Sequence, residues 1–374
     1  MSASQGIWRF GNLGLAEIAP AQRVTLGEGG TPLIEAPRLA EAVGIARLYL
    51  KLESQNPTGS FKDRGTATAI SQAVVIGARQ LVEDSSGNAG ASAAAYAARA
   101  GLRCTIYAPA TAPAAKLRQA EAYGARVVLV EGSRADVTRA AQRAAKATGV
   151  YHLNHNANDA FVAGTQTLAF ELTDELKTPA ALVMPVGGGS LLAGCFEGFA
   201  SLGLPPARWP LFGVQPEVCA PLVQALANGW EQPVPVEAKP TIAGGIAIAD
   251  PPRGARLLLA MRESGGGAVA VTEDAIMRWG RMLARLEGVY AEPTSAAAVA
   301  GLARLVAERT IAADDAAVVV ITGSGLKDPW PPIIGEGEIV VRGVGAEGRA
   351  NASTESEESG AGSRYPNQRP DGGL

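Results

Sequence analysis

The chain is poor in metal-ligating and redox side chains: three cysteines and two histidines in 374 residues. Cys104, Cys195 and Cys219 form no CxxC pair, and His152 and His155 add no second ligand cluster. That spacing excludes a structural zinc site and a disulfide framework, and scattered cysteines fit a reducing cytoplasm. No apolar run reaches the length of a membrane span, and the N-terminus lacks a basic segment followed by an apolar one. A net charge of −3 offers no electrostatic footing for nucleic acid or an anionic membrane. A soluble, cytoplasmic protein with a small-molecule partner is expected.

Short apolar runs alternate with Ala-rich amphipathic stretches. Strand-like runs occupy 45–52, 80–82, 103–108, 126–130, 181–186, 211–215 and 316–322. Helical patterns cover 89–100, 114–123, 134–148 and 191–202, and the first three are followed by Gly101, Gly124 and Gly149 as C-terminal stops. This is the pattern of βα units around parallel sheets, an α/β fold long enough for two lobes. From about residue 340 the apolar content nearly vanishes, and 341–374 is expected to be a disordered tail.

Four segments carry chemistry. In the run 56–65, Asn-Pro-Thr-Gly-Ser-Phe-Lys-Asp-Arg-Gly, Pro57 and Gly59 make a turn and Ser60 is the expected N-cap. Lys62 then falls in a first helical turn, where the macrodipole disfavours a cation. Such an amine, partly desolvated, has a lowered pKa and attacks carbonyls more readily. A lone lysine is more often a solvated surface cation. Asp84-Ser85-Ser86-Gly87-Asn88-Ala89-Gly90 presents hydroxyls and N–H groups at a helix start. That suits an amino-acid carboxylate, with Asn88 free to donate to a phenolic oxygen, and equally suits an ordinary capped helix.

Pro185-Val186-Gly187-Gly188-Gly189-Ser190 lets bare backbone approach a phosphate. It has neither Gly-Lys-Ser/Thr nor GxGxxG spacing, so a single phosphate or a plain tight turn is the alternative pair of readings. Thr322, in 321–328, ends a very apolar run with a hydroxyl that can donate to a ring nitrogen. An amine for an aldehyde, a carboxylate loop, a monophosphate cup and a hydroxyl for a heteroaromatic nitrogen converge on pyridoxal phosphate with an amino-acid substrate.

With these motifs, over roughly residues 6–330, the chain resembles the threonine synthase branch of the fold-type II (tryptophan synthase β-like) pyridoxal-phosphate enzymes. The resemblance implies that Lys62, preceded by Phe61, carries the cofactor aldehyde as a Schiff base. It places Asn88 against the cofactor's 3′-oxygen, with Ser85, Ser86, Asn88 and Ala89 around the substrate carboxylate. Gly187, Gly188, Gly189 and Ser190 take the phosphate, and Thr322 meets the pyridine nitrogen. It further implies a small lobe over 61–154, a large lobe from the N-terminal segment 1–60 and 155–340, and a homodimer. In Glu292-Pro293-Thr294-Ser295, Thr294 or Ser295 is expected to cap a helix, with Glu292 behind the site.

One departure bears on substrate. Where the family places an arginine for a substrate phosphate this chain has Phe161, and Gln166 replaces a lysine. A phenyl ring cannot make the bidentate, charge-assisted pair. The implied activity is therefore elimination of a β- or γ-leaving group, with or without addition of water. A threonine/serine dehydratase or other β-replacement enzyme is the alternative, and a non-catalytic cofactor or amino-acid sensor a third.

Overall fold

The computed structural model describes residues 3–330 apart from 16, 113 and 329. The expected tail at 341–374 lies outside the described residues.

Two mostly parallel sheets organise the chain. The larger contains β1 (Leu33–Glu35), β2 (Arg47–Lys51), β7 (Ala181–Pro185), β8 (Leu211–Pro216), β9 (Gly267–Val271) and β10 (Ala316–Val320). Their order is β1-β2-β10-β7-β8-β9, and every pairing is parallel except β1 with β2. The smaller contains β3 (Gln80–Glu83), β4 (Arg103–Pro109), β5 (Arg126–Val130) and β6 (Tyr151–His152), all parallel in the order β5-β4-β3-β6.

The apolar runs explain the burial. Every residue of β7, β8 and β10 is buried, as expected for strands covered by helices on both faces. Edge strand β5 mixes half-buried and exposed residues. The Arg134–Thr148 helix begins with a capping box between Ser133 and Asp136 and ends at Gly149 in the left-handed conformation. Strand β10 stops two residues short of the expected 322. Ile321 still donates to the Lys51 carbonyl, but the Thr322 carbonyl accepts from Phe61 N–H. That turn out of the sheet joins Thr322 to the lysine segment.

Candidate active site

The carboxyl ends of both sheets open onto one cavity of about 540 Å³, within the size range of a small-ligand pocket. Three helix N-termini converge on it: Lys62–Val75, Asn88–Arg99 and Ser190–Ser201. Lys62, Phe61, Ser85, Ser86, Asn88, Ala89, Gly187, Gly188, Gly189, Ser190 and Thr322 all line it. The structure thus brings the expected cofactor- and substrate-binding residues of the four motifs to one place, while Pro57, Gly59 and Ser60 do not line the cavity.

The lysine segment is set by pairing across the cavity floor. Ser60 bridges Gly323, and Ser324 N–H donates to the Gly59 carbonyl. Ser60 is not the N-cap: Phe61 holds that position, and Ser60 Oγ is buried without a partner. Asp63 instead ties the turn down, accepting from Thr58 N–H, Thr58 Oγ1 and Ser92 Oγ at 2.7, 2.6 and 2.6 Å. Burial lifts the Asp63 carboxyl to about 6, against the pull of the Ser92 and Thr58 hydrogen bonds.

Lys62 Nζ lies 4.3 Å from the centroid of Phe61 and 6.0 Å from that of Phe161. Among the described residues it makes no hydrogen bond or ion pair. Desolvation lowers its pKa to about 8, partly opposed by the negative charges of Glu83 and Glu292 and assisted by Arg253. The lowered pKa raises the free-base fraction far above that of an ordinary lysine, and the free base is the form that condenses with an aldehyde.

The glycine cup is required by crowding. A Cβ on Gly187 would stand 2.9 Å from Ile246 Cα, one on Gly188 2.0 Å from Asn156 Oδ1, and one on Gly189 2.3 Å from Leu257 Cδ1. Gly189 also has φ +80°, the left-handed region that glycine enters without strain. Ser190 Oγ donates to the His155 carbonyl at 3.2 Å, so its hydroxyl holds the neighbouring turn. Arg253 grips that turn from outside, donating to the carbonyls of Asn156 and Asn158.

Asn88 Nδ2 donates to Glu292 Oε2 at 2.9 Å. Glu292 is 5 % exposed and lines the cavity, so it belongs to the site rather than standing behind it. Burial raises its pKa, while the Asn88 hydrogen bond opposes the shift. Glu292 occupies the N-cap position of the Pro293–Ala307 helix, and neither Thr294 nor Ser295 caps it. Ser295 Oγ pairs with Thr322 Oγ1 at 2.9 Å and bonds both the N–H and the carbonyl of Gly323. Ser295 thereby orients the hydroxyl that faces the cavity.

Phe161 is completely buried and does not line the cavity. A Cβ on Gly65 would stand 2.4 Å from its ring, so the ring fills the space between the lysine helix and the 153–158 turn. Gln166 points to Glu197 at 3.3 Å. Sequence reasoning missed Glu83, Asn156 and Arg253. Glu83 ends a strand, where ligands gather in such sheets, which is the signal that marks it.

Residues 24–323 match the family described as pyridoxal-phosphate dependent enzymes. The chain belongs to that family. It is 38% identical to threonine synthase of Methanosarcina acetivorans over 331 residues, covering 86% of this chain and 80% of that protein. It is likewise 38% identical to threonine synthase of Mycobacterium leprae, covering 82% and 84%. Among solved structures, a T.th. threonine deaminase superposes with a TM-score of 0.70 at 28% identity, covering 81% of this chain and 94% of that one. Tomato (Solanum lycopersicum) threonine deaminase isoform 2, at 24% identity and a TM-score of 0.71, shares the fold. The residues present fit the family's cofactor: an unpaired, low-pKa amine and a glycine cup whose added Cβ atoms would clash with their neighbours line the same cavity.

Proposed function

We propose that the chain is a pyridoxal-phosphate-dependent lyase of the threonine synthase type, removing a β- or γ-leaving group from an amino acid. The observation that carries this reading is the unpaired Lys62 amine held at the meeting point of the carboxylate loop, the glycine cup and Thr322. Gly187, Gly188, Gly189 and Ser190 would hold the cofactor phosphate, Asn88 its 3′-oxygen and Thr322 its ring nitrogen. When bound, the cofactor supplies an electron sink conjugated to the substrate's Cα.

The protein's own groups do the rest. Lys62 is the amine that carries the aldehyde, and once freed it takes the α-proton at Nζ. Ser85, Ser86 and Ala89 present hydroxyls and N–H groups to the substrate carboxylate at the start of the Asn88–Arg99 helix. That anchoring sets the orientation of the Cα–H bond. Glu292 accepts one N–H of the Asn88 amide, which fixes the amide's orientation and leaves its second N–H for the cofactor's 3′-oxygen. A cytoplasmic, homodimeric enzyme is part of the same reading: three buried free thiols fit a reducing compartment, and paired copies are the commonest assembly of soluble enzymes.

The burial of Phe161 favours a second reading. No arginine stands there for a substrate phosphate, so loss of a hydroxyl to give a 2-oxo acid and ammonia is the alternative outcome at the same site. The holoenzyme is incubated separately with O-phosphohomoserine, L-threonine and L-serine. Phosphate with threonine supports the synthase reading, and ammonia with a 2-oxo acid supports the dehydratase reading. Release of neither from any of the three overturns both.

A further inference from the structure

Glu83 closes β3, and His155 stands in the turn that follows its neighbour β6. The two side chains thus leave the carboxyl ends of adjacent parallel strands and meet beside the cavity. Glu83 is completely buried, with Oε1 2.6 Å from His155 Nδ1 and Oε2 3.4 Å from His155 N–H. A carboxylate only accepts hydrogen bonds, so the ring hydrogen lies on Nδ1 and Nε2 is the nitrogen left for the cavity that His155 lines. The His155 ring is 6.0 Å from Phe161, whose other neighbour at 6.0 Å is Lys62 Nζ.

Loss of an oxygen leaving group needs an acid as well as a base, because hydroxide departs poorly unless it is protonated. The other charged groups around the cavity are engaged. Asp84 is held by Arg134 and Thr138, Lys116 by Asp328, Glu292 by Asn88, and Lys327 by the Thr58 carbonyl. An arginine, such as Arg118, does not release its proton. We propose that His155, positioned by Glu83, is a second catalytic residue that protonates the leaving oxygen. The inference rests on the elimination reading above.

In the step, Lys62 Nζ takes the proton from Cα, and the C–H electron pair becomes the new Cα–Cβ π bond. The Cβ–O bond breaks with both electrons going to oxygen; His155 enters the step doubly protonated, passes its second proton from Nε2 to that oxygen and reverts to the Nδ1–H imidazole held by Glu83. Water leaves. The imidazole recovers a proton from solvent and Lys62 returns its own.

The test compares two leaving groups on the holoenzyme, with pyruvate as the readout. L-serine must lose a protonated oxygen, whereas β-chloro-L-alanine loses chloride, which needs no acid. His155→Gln is expected to lower kcat/KM for L-serine by about 10²–10⁴-fold and that for β-chloro-L-alanine by less than about fivefold. Glu83→Gln should show the same selectivity with a smaller loss, and His155→Asn serves if the glutamine variant does not fold. Equal loss on both substrates reduces His155 to a structural support and overturns the proposal. A wild type active on the chloride alone overturns the proton-donor role. A wild type active on neither overturns the proposal together with the β-elimination reading on which it rests, while the γ-leaving-group reading is decided separately by the O-phosphohomoserine assay. With only two histidines in the chain, ¹⁵N-edited NMR gives a readout apart from turnover. A strongly downfield His155 Nδ1–H resonance is expected, lost in Glu83→Gln, and its absence from the wild type overturns the orientation.

Discussion

Lys62 and Arg64 are two residues apart on the first turn of one helix, and their surroundings are opposites. Arg64 is fully buried and every donor is used: Glu53 at 2.7 Å twice, Glu171 at 2.7 and 2.9 Å, Thr167 at 2.9 Å and Thr31 at 3.3 Å. Lys51 and Arg9 complete the cluster on Glu171 at 3.0 and 2.9 Å. Coulombic attraction and hydrogen bonds from Glu171 and Glu53 overcome desolvation and push the Arg64 pKa well above its ordinary value. Lys62 has desolvation without a partner, and its pKa falls to about 8. Saturation makes a buried cation structural, and the lack of it makes a buried cation reactive.

Four experiments break or sharpen this contrast. Lys62→Ala should lower turnover by at least about 10³-fold and abolish the visible band of lysine-bound cofactor. Its denaturation midpoint should not fall, since an unpaired desolvated cation is what has been removed. A variant that keeps both band and turnover would falsify the assignment of Lys62. Arg64→Met should do the reverse, costing about 3–5 kcal/mol in urea unfolding because Glu53 and Glu171 are left buried without their main partner. A loss below about 1 kcal/mol would show that Lys51 and Arg9 suffice.

The third experiment uses pH. Between about 8 and the ordinary lysine value of 10.5, the folded apoprotein binds fewer protons at Lys62 than the unfolded chain. Its stability relative to Lys62→Met should therefore rise with pH across that window, by about 3 kcal/mol in all. A flat difference curve would mean that the amine is not desolvated. The smallest effect is expected at the cup. Gly188→Ala places a methyl group on Asn156 Oδ1 and should weaken cofactor affinity by about tenfold or more, measured by equilibrium titration, with the fold intact by circular dichroism.

Much of the site is legible in the sequence because its demands are local. A glycine cup, a turn before a lysine and a Ser/Asn loop at a helix start each lie within a few consecutive residues, and short-range backbone chemistry explains them. The βα alternation is legible for the same reason, since burial on both faces writes itself into runs such as 181–186 and 316–322. Glu292 reads as standing behind the site because its motif has the pattern of a helix start. Only the approach of Asn88, 204 residues away in sequence, turns it into a cavity residue. Ser60 looks like a cap because it precedes a helical pattern. Its pairing with Gly323 moves the helix start to the next residues. Phe161 falls at a substrate-pocket position by motif, yet its ring is packed against the absent Cβ of Gly65.

The amino-acid sequence alone determined the α/β architecture and the family, and it singled out Lys62 as the proposed aldehyde-bearing lysine, because each is encoded in contiguous patterns of burial, turns and helix starts. The tertiary structure decided which buried charges are paired. Lys62 and Arg64 look alike on paper, as do Glu53, Glu83 and Glu292. What separates them is distance to partners contributed by other elements: Glu171 for Arg64, His155 for Glu83 and Asn88 for Glu292. Electrostatic energy in a desolvated interior depends on those distances, and no local stretch of sequence contains them.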